Sequence, residues 1–136
     1  MLFDLDGTLI DTAPDMAAAL DILCDEERHA RRPYSDIRPI VSNGSVALVK
    51  LAFGNDMDLQ TLESLKKRYL EIYQEHLAVH SQLFDEMDNL LLQLERNGIK
   101  WGVVTNKPGW LTEPLMASLG LLERAACIVS ADSTNN

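Results

Sequence analysis

Positive charge is scarce in this 136-residue chain. Lys and Arg together number 12 against 21 Asp and Glu, which gives a formal net charge of -9 at pH 7. An acidic balance of this size argues against broad attraction to nucleic acid or to an anionic membrane. A phosphate-bearing ligand would therefore need local positive charge or a bound cation at its site.

Cysteine is also rare, and long apolar runs are missing. Cys24 and Cys127 lie far apart among apolar neighbours, with no spacing typical of a zinc or redox site, so we expect two buried free thiols. No apolar run approaches the roughly 20 residues that span a bilayer. Asp4 and Asp6 interrupt the N-terminus, unlike a signal peptide. These absences predict a protein of the cytoplasm without a membrane partner.

The predicted elements indicate an α/β core interrupted by a helical segment. An apolar strand ends near Gly7, and a helix follows with Thr12 as its N-cap and Asp15 reaching back to that cap. Helical spacing continues to about His80. Beyond it the pattern predicts a helix over 87–94, a strand over 99–104, a helix over 111–119 and a strand over 125–129. Strands that alternate with helices predict a Rossmann-like parallel sheet.

Polar residues follow two of the predicted strands directly. Residues 4–8 read Asp-Leu-Asp-Gly-Thr, and residues 105–107 read Thr-Asn-Lys. In parallel α/β sheets ligands bind beyond the carboxyl ends of the strands. We therefore expect the two clusters to form one functional site.

Asp4 and Asp6 suit acid–base and nucleophilic chemistry. On extended backbone, positions two apart point to the same side, so both carboxylates can face one reacting centre. One can attack phosphorus while the other exchanges protons with the leaving oxygen and with water, and a magnesium ion would offset the charges. The alternative is a plain turn or a calcium loop. No Glu closes the twelve-residue calcium-loop pattern, and an apolar strand leads directly into the aspartates.

The second cluster and the histidines each allow two interpretations. Thr105 and Asn106 could bind phosphoryl oxygens or merely cap the following helix. Lys107 could neutralise phosphate or be a solvated loop residue. His76 and His80 have the spacing of one helix face, but no third ligand accompanies them, which favours surface histidines over a zinc site.

The residues Phe3-Asp4-Leu5-Asp6-Gly7-Thr8-Leu9, followed by Asp11-Thr12, resemble the first signature of the haloacid dehalogenase superfamily. Val103-Val104-Thr105-Asn106-Lys107 resembles the second signature, and the helical segment between them is similar to the small cap of the phosphoglycolate phosphatase-like branch. Finer features are similar to bacterial phosphoglycolate phosphatases, some of which act instead on N-acetylmuramic acid 6-phosphate.

The resemblance implies an α/β core over 1–14 and 81–136 with an inserted all-α cap over 15–80. It implies that Asp4 is the nucleophile and a Mg²⁺ ligand, and that Asp6 is the general acid/base and binds Mg²⁺ through its backbone carbonyl. Thr105 and Asn106 would bind the phosphoryl group, and Asn43 and Ser45 of the cap would contact the substrate. That substrate would be a small phosphorylated carboxylate such as 2-phosphoglycolate, or alternatively N-acetylmuramic acid 6-phosphate, turned over by a monomer or homodimer through an aspartyl-phosphate.

Two departures from the family pattern concern the ends of the chain. Met1 lies almost on the catalytic loop, and the sequence ends at Asn136 where the family's third-signature lysine would follow. The acidic fourth signature is absent too, because Asp132 comes too early for it. We therefore expect a C-terminally truncated chain with little activity of its own. The rival hypothesis is a non-catalytic module that keeps the fold for binding, although two like charges held together have no purpose in a retired site.

Overall fold

The computed structural model describes residues 1–130, which form two compact units. Within these residues the first unit comprises Met1–Asp11 together with the segment from Ser81 onward, and the second is Thr12–His80. The sequence-based division placed the first junction after residue 14, whereas the units divide after Asp11. Asp132 lies outside the described residues.

The elements follow one another in this order: β1 (Leu2–Phe3), β2 (Ile10–Asp11), α1 (Ala13–Glu26), α2 (Tyr34–Ile37), a 3-10 helix (Arg38–Asn43), α3 (Ser45–Phe53), α4 (Leu59–Glu75), β3 (Gln82–Leu83), α5 (Asp85–Arg96), β4 (Gly102–Val104), α6 (Gly109–Ser118) and β5 (Cys127–Val129). None of these helices is both long and apolar enough to cross a membrane.

The first unit is built on a parallel sheet of three strands in the order β1-β4-β5. The predicted parallel α/β arrangement is therefore confirmed. Leu2 pairs with Gly102 and Phe3 with Val103, while β5 pairs along the other edge of β4. The strands are shorter than predicted. In β4, for example, pairing with the neighbouring strands starts only at Gly102, although the apolar run starts at Ile99.

Gly102 of β4 allows β5 to approach closely. A Cβ atom at this position would lie 2.5 Å from Cys127 Sγ and 2.8 Å from the Cys127 carbonyl oxygen. The expectation that both cysteines are buried holds for Cys24 and is wrong for Cys127, which is exposed on β5. The reason is that β5 lies at the end of the strand order, with β4 on one side only.

A separate two-stranded ladder joins the two segments of the first unit. Ile10 of β2 pairs with Leu83 of β3, and Asp11 pairs with Gln82, in antiparallel register. The Phe84 amide also donates to the Leu9 carbonyl at 3.3 Å. The backbone that leaves this unit and the backbone that returns to it are therefore hydrogen-bonded neighbours.

The second unit is entirely helical apart from its loops, as predicted. Helices α1, α3 and α4 pack around buried apolar side chains such as Leu20, Leu48 and Ile72. The buried Tyr69 hydroxyl donates to the Met16 carbonyl at 3.1 Å and so ties α4 to α1. On the surface of the same pair, the Arg68 guanidinium binds the Glu26 carboxylate.

The start of α1 differs from the prediction in its hydrogen bonding. Thr12 occupies the N-cap position but makes no side-chain cap hydrogen bond. The buried Asp15 carboxylate accepts the His80 amide at 3.0 and 2.9 Å. The proposed helix face shared by His76 and His80 is also wrong. Helix α4 ends at Glu75, and Ala78 with φ 59° turns the chain away from helical geometry before His80.

Trp101, directly before β4, takes part in a charged network. Its buried indole Nε1–H donates to Glu95 at 3.1 Å, and the Arg124 guanidinium binds both oxygens of the same carboxylate at 3.0 Å. The Arg124 hydrogen bonds, reinforced by the one from Trp101, lower the pKa of Glu95. Trp110 on α6, in contrast, is 42% exposed.

The Glu95 network makes stability depend on pH. A carboxylate whose pKa is lowered on folding stabilises the protein above its ordinary value of 4.5 and loses that contribution as the pH falls through the folded-state pKa. We expect Glu95→Gln to lower the free energy of unfolding by about 1 kcal/mol near neutral pH, since the pair is partly exposed.

Urea denaturation of both proteins between pH 7 and pH 3 measures this difference. The two stabilities should converge as the pH falls below the ordinary glutamate value. A stability difference that is the same at every pH would contradict the role of the charge.

Candidate active site

The loop after β1 carries both predicted aspartates. The Asp4 carboxylate accepts the Leu5 amide at 2.8 Å, and its side chain is exposed. Asp6 is only 9% exposed and forms an isolated bridge with Ile10. Gly7 adopts φ 78°, a left-handed conformation that favours glycine, and its amide closes the turn on the Ile10 carbonyl at 3.0 Å. The loop is therefore folded back on itself, and its hydrogen bonds hold the backbone that carries the two aspartates.

The loop after β4 carries the predicted phosphate-binding residues. The Thr105 amide donates to the Val129 carbonyl at 2.9 Å, so this residue is fixed to β5 as well. Its buried hydroxyl oxygen accepts the Lys107 amide at 3.1 Å, which leaves the hydroxyl proton to donate elsewhere. Asn106 is exposed between two buried neighbours.

The two loops meet because β1 and β4 are adjacent parallel strands. Asp4, Thr105 and Asn106 line one cleft of about 300 Å³. A neighbouring cleft of about 430 Å³ is lined by Gly7, Thr8 and residues 84–87 at the start of α5. The structure therefore brings together the predicted residues of both loops at the carboxyl end of the sheet.

Lys107 is the residue whose position the sequence left open. Its side chain is 4% exposed, and its Nζ lies 3.1 Å from Asp6 Oδ1, whose side chain is 12% exposed. The hypothesis of a solvated loop lysine is thus excluded. One positive charge compensates one of the two site carboxylates.

The donor set fits magnesium better than it fits zinc or calcium. Within residues 1–130 no group of three or more His, Cys, Asp or Glu side chains could hold a metal ion. Magnesium, however, is commonly held by one or two carboxylates together with waters and substrate phosphate oxygens. The Asp4 carboxylate and the backbone carbonyl of Asp6 are hard oxygen ligands of the kind that magnesium prefers.

Asn43 and Ser45 belong to the second unit, where Asn43 ends the 3-10 helix and Ser45 begins α3. Their role as substrate contacts stays a prediction.

Thr112 is a supporting residue that the sequence analysis missed. Its fully buried hydroxyl donates to the carbonyls of Lys107 at 3.2 Å and Pro108 at 3.0 Å. The signal was a threonine four residues after the predicted loop proline, a spacing that allows bonding back to the preceding turn.

The model of the haloacid dehalogenase-like hydrolase family matches residues 1–136, the whole chain. The chain belongs to this family. The resemblance identified from the Asp4 and Thr105 signatures is therefore confirmed.

Relatives within the haloacid dehalogenase-like family carry phosphatase names. An N-acetylmuramic acid 6-phosphate phosphatase from Pseudomonas putida is 43% identical over 100% of this chain and 61% of its own length. A phosphoglycolate phosphatase from Xanthomonas campestris is 38% identical over 98% of this chain and 60% of its own length. The chain thus spans about three fifths of the curated relatives it matches.

Solved structures support the same fold. A predicted phosphoglycolate phosphatase from Haemophilus somnus 129pt superposes with a TM-score of 0.83 at 23% identity, covering 99% of this chain and 63% of that one. A haloacid dehalogenase-like family protein from Streptococcus pneumoniae gives 0.81 at 19% identity, covering 95% and 59%. The predicted α/β fold of the haloacid dehalogenase type is confirmed.

The Thr105 hydroxyl should matter to stability as well as to the site. Thr105→Val removes the oxygen that accepts the buried Lys107 amide, so we expect the free energy of unfolding to fall by about 1–2 kcal/mol. Thr105→Ser keeps the acceptor and should lose less. Chemical denaturation of the three proteins measures the difference, and equal stabilities of the Val and Ser variants would show that the hydrogen bond contributes nothing.

Proposed function

We propose that the full-length protein is a magnesium-dependent phosphomonoesterase that acts on a small phosphorylated carboxylate through an aspartyl-phosphate intermediate. The observation that carries this proposal is the convergence of Asp4, Thr105 and Asn106 on one cleft, with Asp6 fixed in the same loop as Asp4. These side chains supply a nucleophile, phosphoryl-oxygen donors and a proton-exchanging group.

In the first half-reaction an Asp4 carboxylate oxygen attacks phosphorus. The phosphorus–oxygen bond to the leaving alcohol breaks, and protonated Asp6 gives its proton to the departing oxygen. In the second half-reaction Asp6 removes a proton from water as the water oxygen attacks phosphorus. The acyl-phosphate bond breaks, inorganic phosphate leaves, and Asp4 is restored as a carboxylate.

Thr105 and Asn106 serve the phosphoryl group throughout both steps. Hydroxyl and amide donors held at a strand end can bind oxygens whose charge is spread over the transition state. Asp4 and Asp6 would hold the magnesium ion. When bound, the ion supplies positive charge that lets an anionic nucleophile approach an anionic ester.

Two substrates fit the chemistry and the names of the relatives. N-acetylmuramic acid 6-phosphate and 2-phosphoglycolate each combine a phosphate monoester with a carboxylate. The relatives named for the first are 43% and 42% identical to this chain, against 38% for the Xanthomonas protein named for the second. We therefore place N-acetylmuramic acid 6-phosphate first among the esters to test and keep 2-phosphoglycolate as the alternative.

The composition of the chain bears on its partners. A net charge of -9 disfavours nucleic acid and anionic membrane as partners. We propose a cytoplasmic monomer or homodimer whose only partner in the reaction is the small phosphate ester.

Phosphate release from both esters, in the presence of magnesium, tests the proposal on the full-length protein. We expect Asp4→Asn to reduce turnover by at least about a thousandfold, because loss of a covalent nucleophile removes the intermediate itself. Removal of magnesium by a chelator should abolish release, and added magnesium should restore it.

Asp56→Asn is the matched control, because Asp56 is an exposed loop residue of the second unit. Its turnover should equal that of the unchanged protein. A folded full-length protein that binds magnesium but releases phosphate from neither ester would favour the rival hypothesis, a binding module without catalysis, or a different ester. Full activity in Asp4→Asn would exclude Asp4 as the nucleophile.

A further inference from the structure

Lys107 occupies a position where a lysine is costly. Its side chain is 4% exposed, and lysine is almost never buried so deeply unless it is paired. The pairing partner is Asp6, at 3.1 Å. Burying both charges costs desolvation that their attraction only partly offsets, so such a pair is weak evidence for a contribution to stability. A role in the reaction is the better physical reason for a lysine here.

The backbone of Lys107 is held from both sides. Its amide donates to the Thr105 hydroxyl oxygen at 3.1 Å, and its carbonyl accepts the Thr112 hydroxyl at 3.2 Å. Both threonines are buried, and Pro108 restricts the backbone of Lys107, the residue before it. The ammonium group is therefore the end of an arm anchored to β4 and α6, and this arm reaches the loop after β1.

The consequence for Asp6 is geometric. A carboxylate can rotate about its Cβ–Cγ bond, and an ionic hydrogen bond to one oxygen restricts that rotation. A group that gives a proton to a leaving oxygen must lie within hydrogen-bond reach of it, so its orientation limits the rate.

We propose that Lys107 is a positioning residue, which fixes the orientation of the Asp6 carboxylate for proton transfer and does not itself bind the phosphoryl group. This inference rests on the proposed phosphatase function. Lys107 thus acts together with the acid/base residue Asp6. Its place in the sequence, directly after Thr105-Asn106, had suggested phosphate binding as one interpretation.

A double-mutant cycle on the full-length protein separates these two roles. The four proteins are the unchanged enzyme, Lys107→Met, Asp6→Asn and the variant that carries both changes. We expect Lys107→Met to lower kcat by about 10- to 100-fold, the range for a misplaced catalytic group, while KM changes by less than about twofold. In the Asp6→Asn background the same change should have no further effect on kcat, because Lys107 acts through Asp6.

A second cycle uses thermal unfolding and does not depend on catalysis. Each single change leaves one buried charge without its ion-pair partner, whereas the double change removes both. The Tm of the double variant should therefore be higher than the Tm calculated by adding the shifts of the two single variants.

If Lys107→Met does not fold, Lys107→Arg replaces it in the kinetic cycle, because arginine keeps the charge. Lys107→Arg should then retain more of kcat than Lys107→Gln.

Lys100→Met is the matched control, because Lys100 is exposed and its side chain contributes to no contact with the site. It should leave kcat, KM and Tm unchanged. The positioning role is overturned if Lys107→Met lowers kcat equally in both backgrounds, if it mainly raises KM, or if it changes neither. If the unchanged enzyme is as inactive as Asp4→Asn, the proposed function itself fails, and the two failures are thereby distinguished.

Discussion

The parallel pairing of β1 with β4 is the constraint from which the site follows. Leu2 lies opposite Gly102 and Phe3 opposite Val103, so the loops after both strands emerge at the same edge of the sheet. The glycine at the start of β4 permits close approach of β5, which in turn receives the Thr105 amide. A shift of this register by one residue would move the carboxylates of Asp4 and Asp6 away from the Thr105 hydroxyl, since strand side chains alternate between faces.

The first unit has small groups of charged side chains at two places. The site combines Asp4, Asp6 and the buried ammonium of Lys107, while the far end of the sheet holds Glu95 with Arg124 around an indole N–H. In a chain with so few cations, a lysine at the carboxyl end of the strands lowers the repulsion that an incoming anion meets.

Sequence predicted the order and type of the longer elements because hydrophobic period and turn residues are local properties. It also predicted that Asp4, Asp6, Thr105 and Asn106 follow strand ends, since polar residues directly after apolar strands are visible without coordinates. The Asp15 hydrogen bond to the His80 amide joins residues 65 positions apart and could not be read locally. The burial of Lys107 likewise depends on which loop faces it, and its residue type alone favours solvent.

The way the chain leaves and re-enters the first unit has a further consequence. The β2–β3 ladder keeps the departing and returning strands paired, and within the second unit Asp15 binds the amide of its last residue. Both ends of the inserted segment are therefore fastened at a single place, and its interior bears no connection that the sheet needs for its own register. Such an insert can change length, composition and helix count over evolutionary time while the chemistry-bearing loops stay untouched. In this sense the second unit is an insertion into the first.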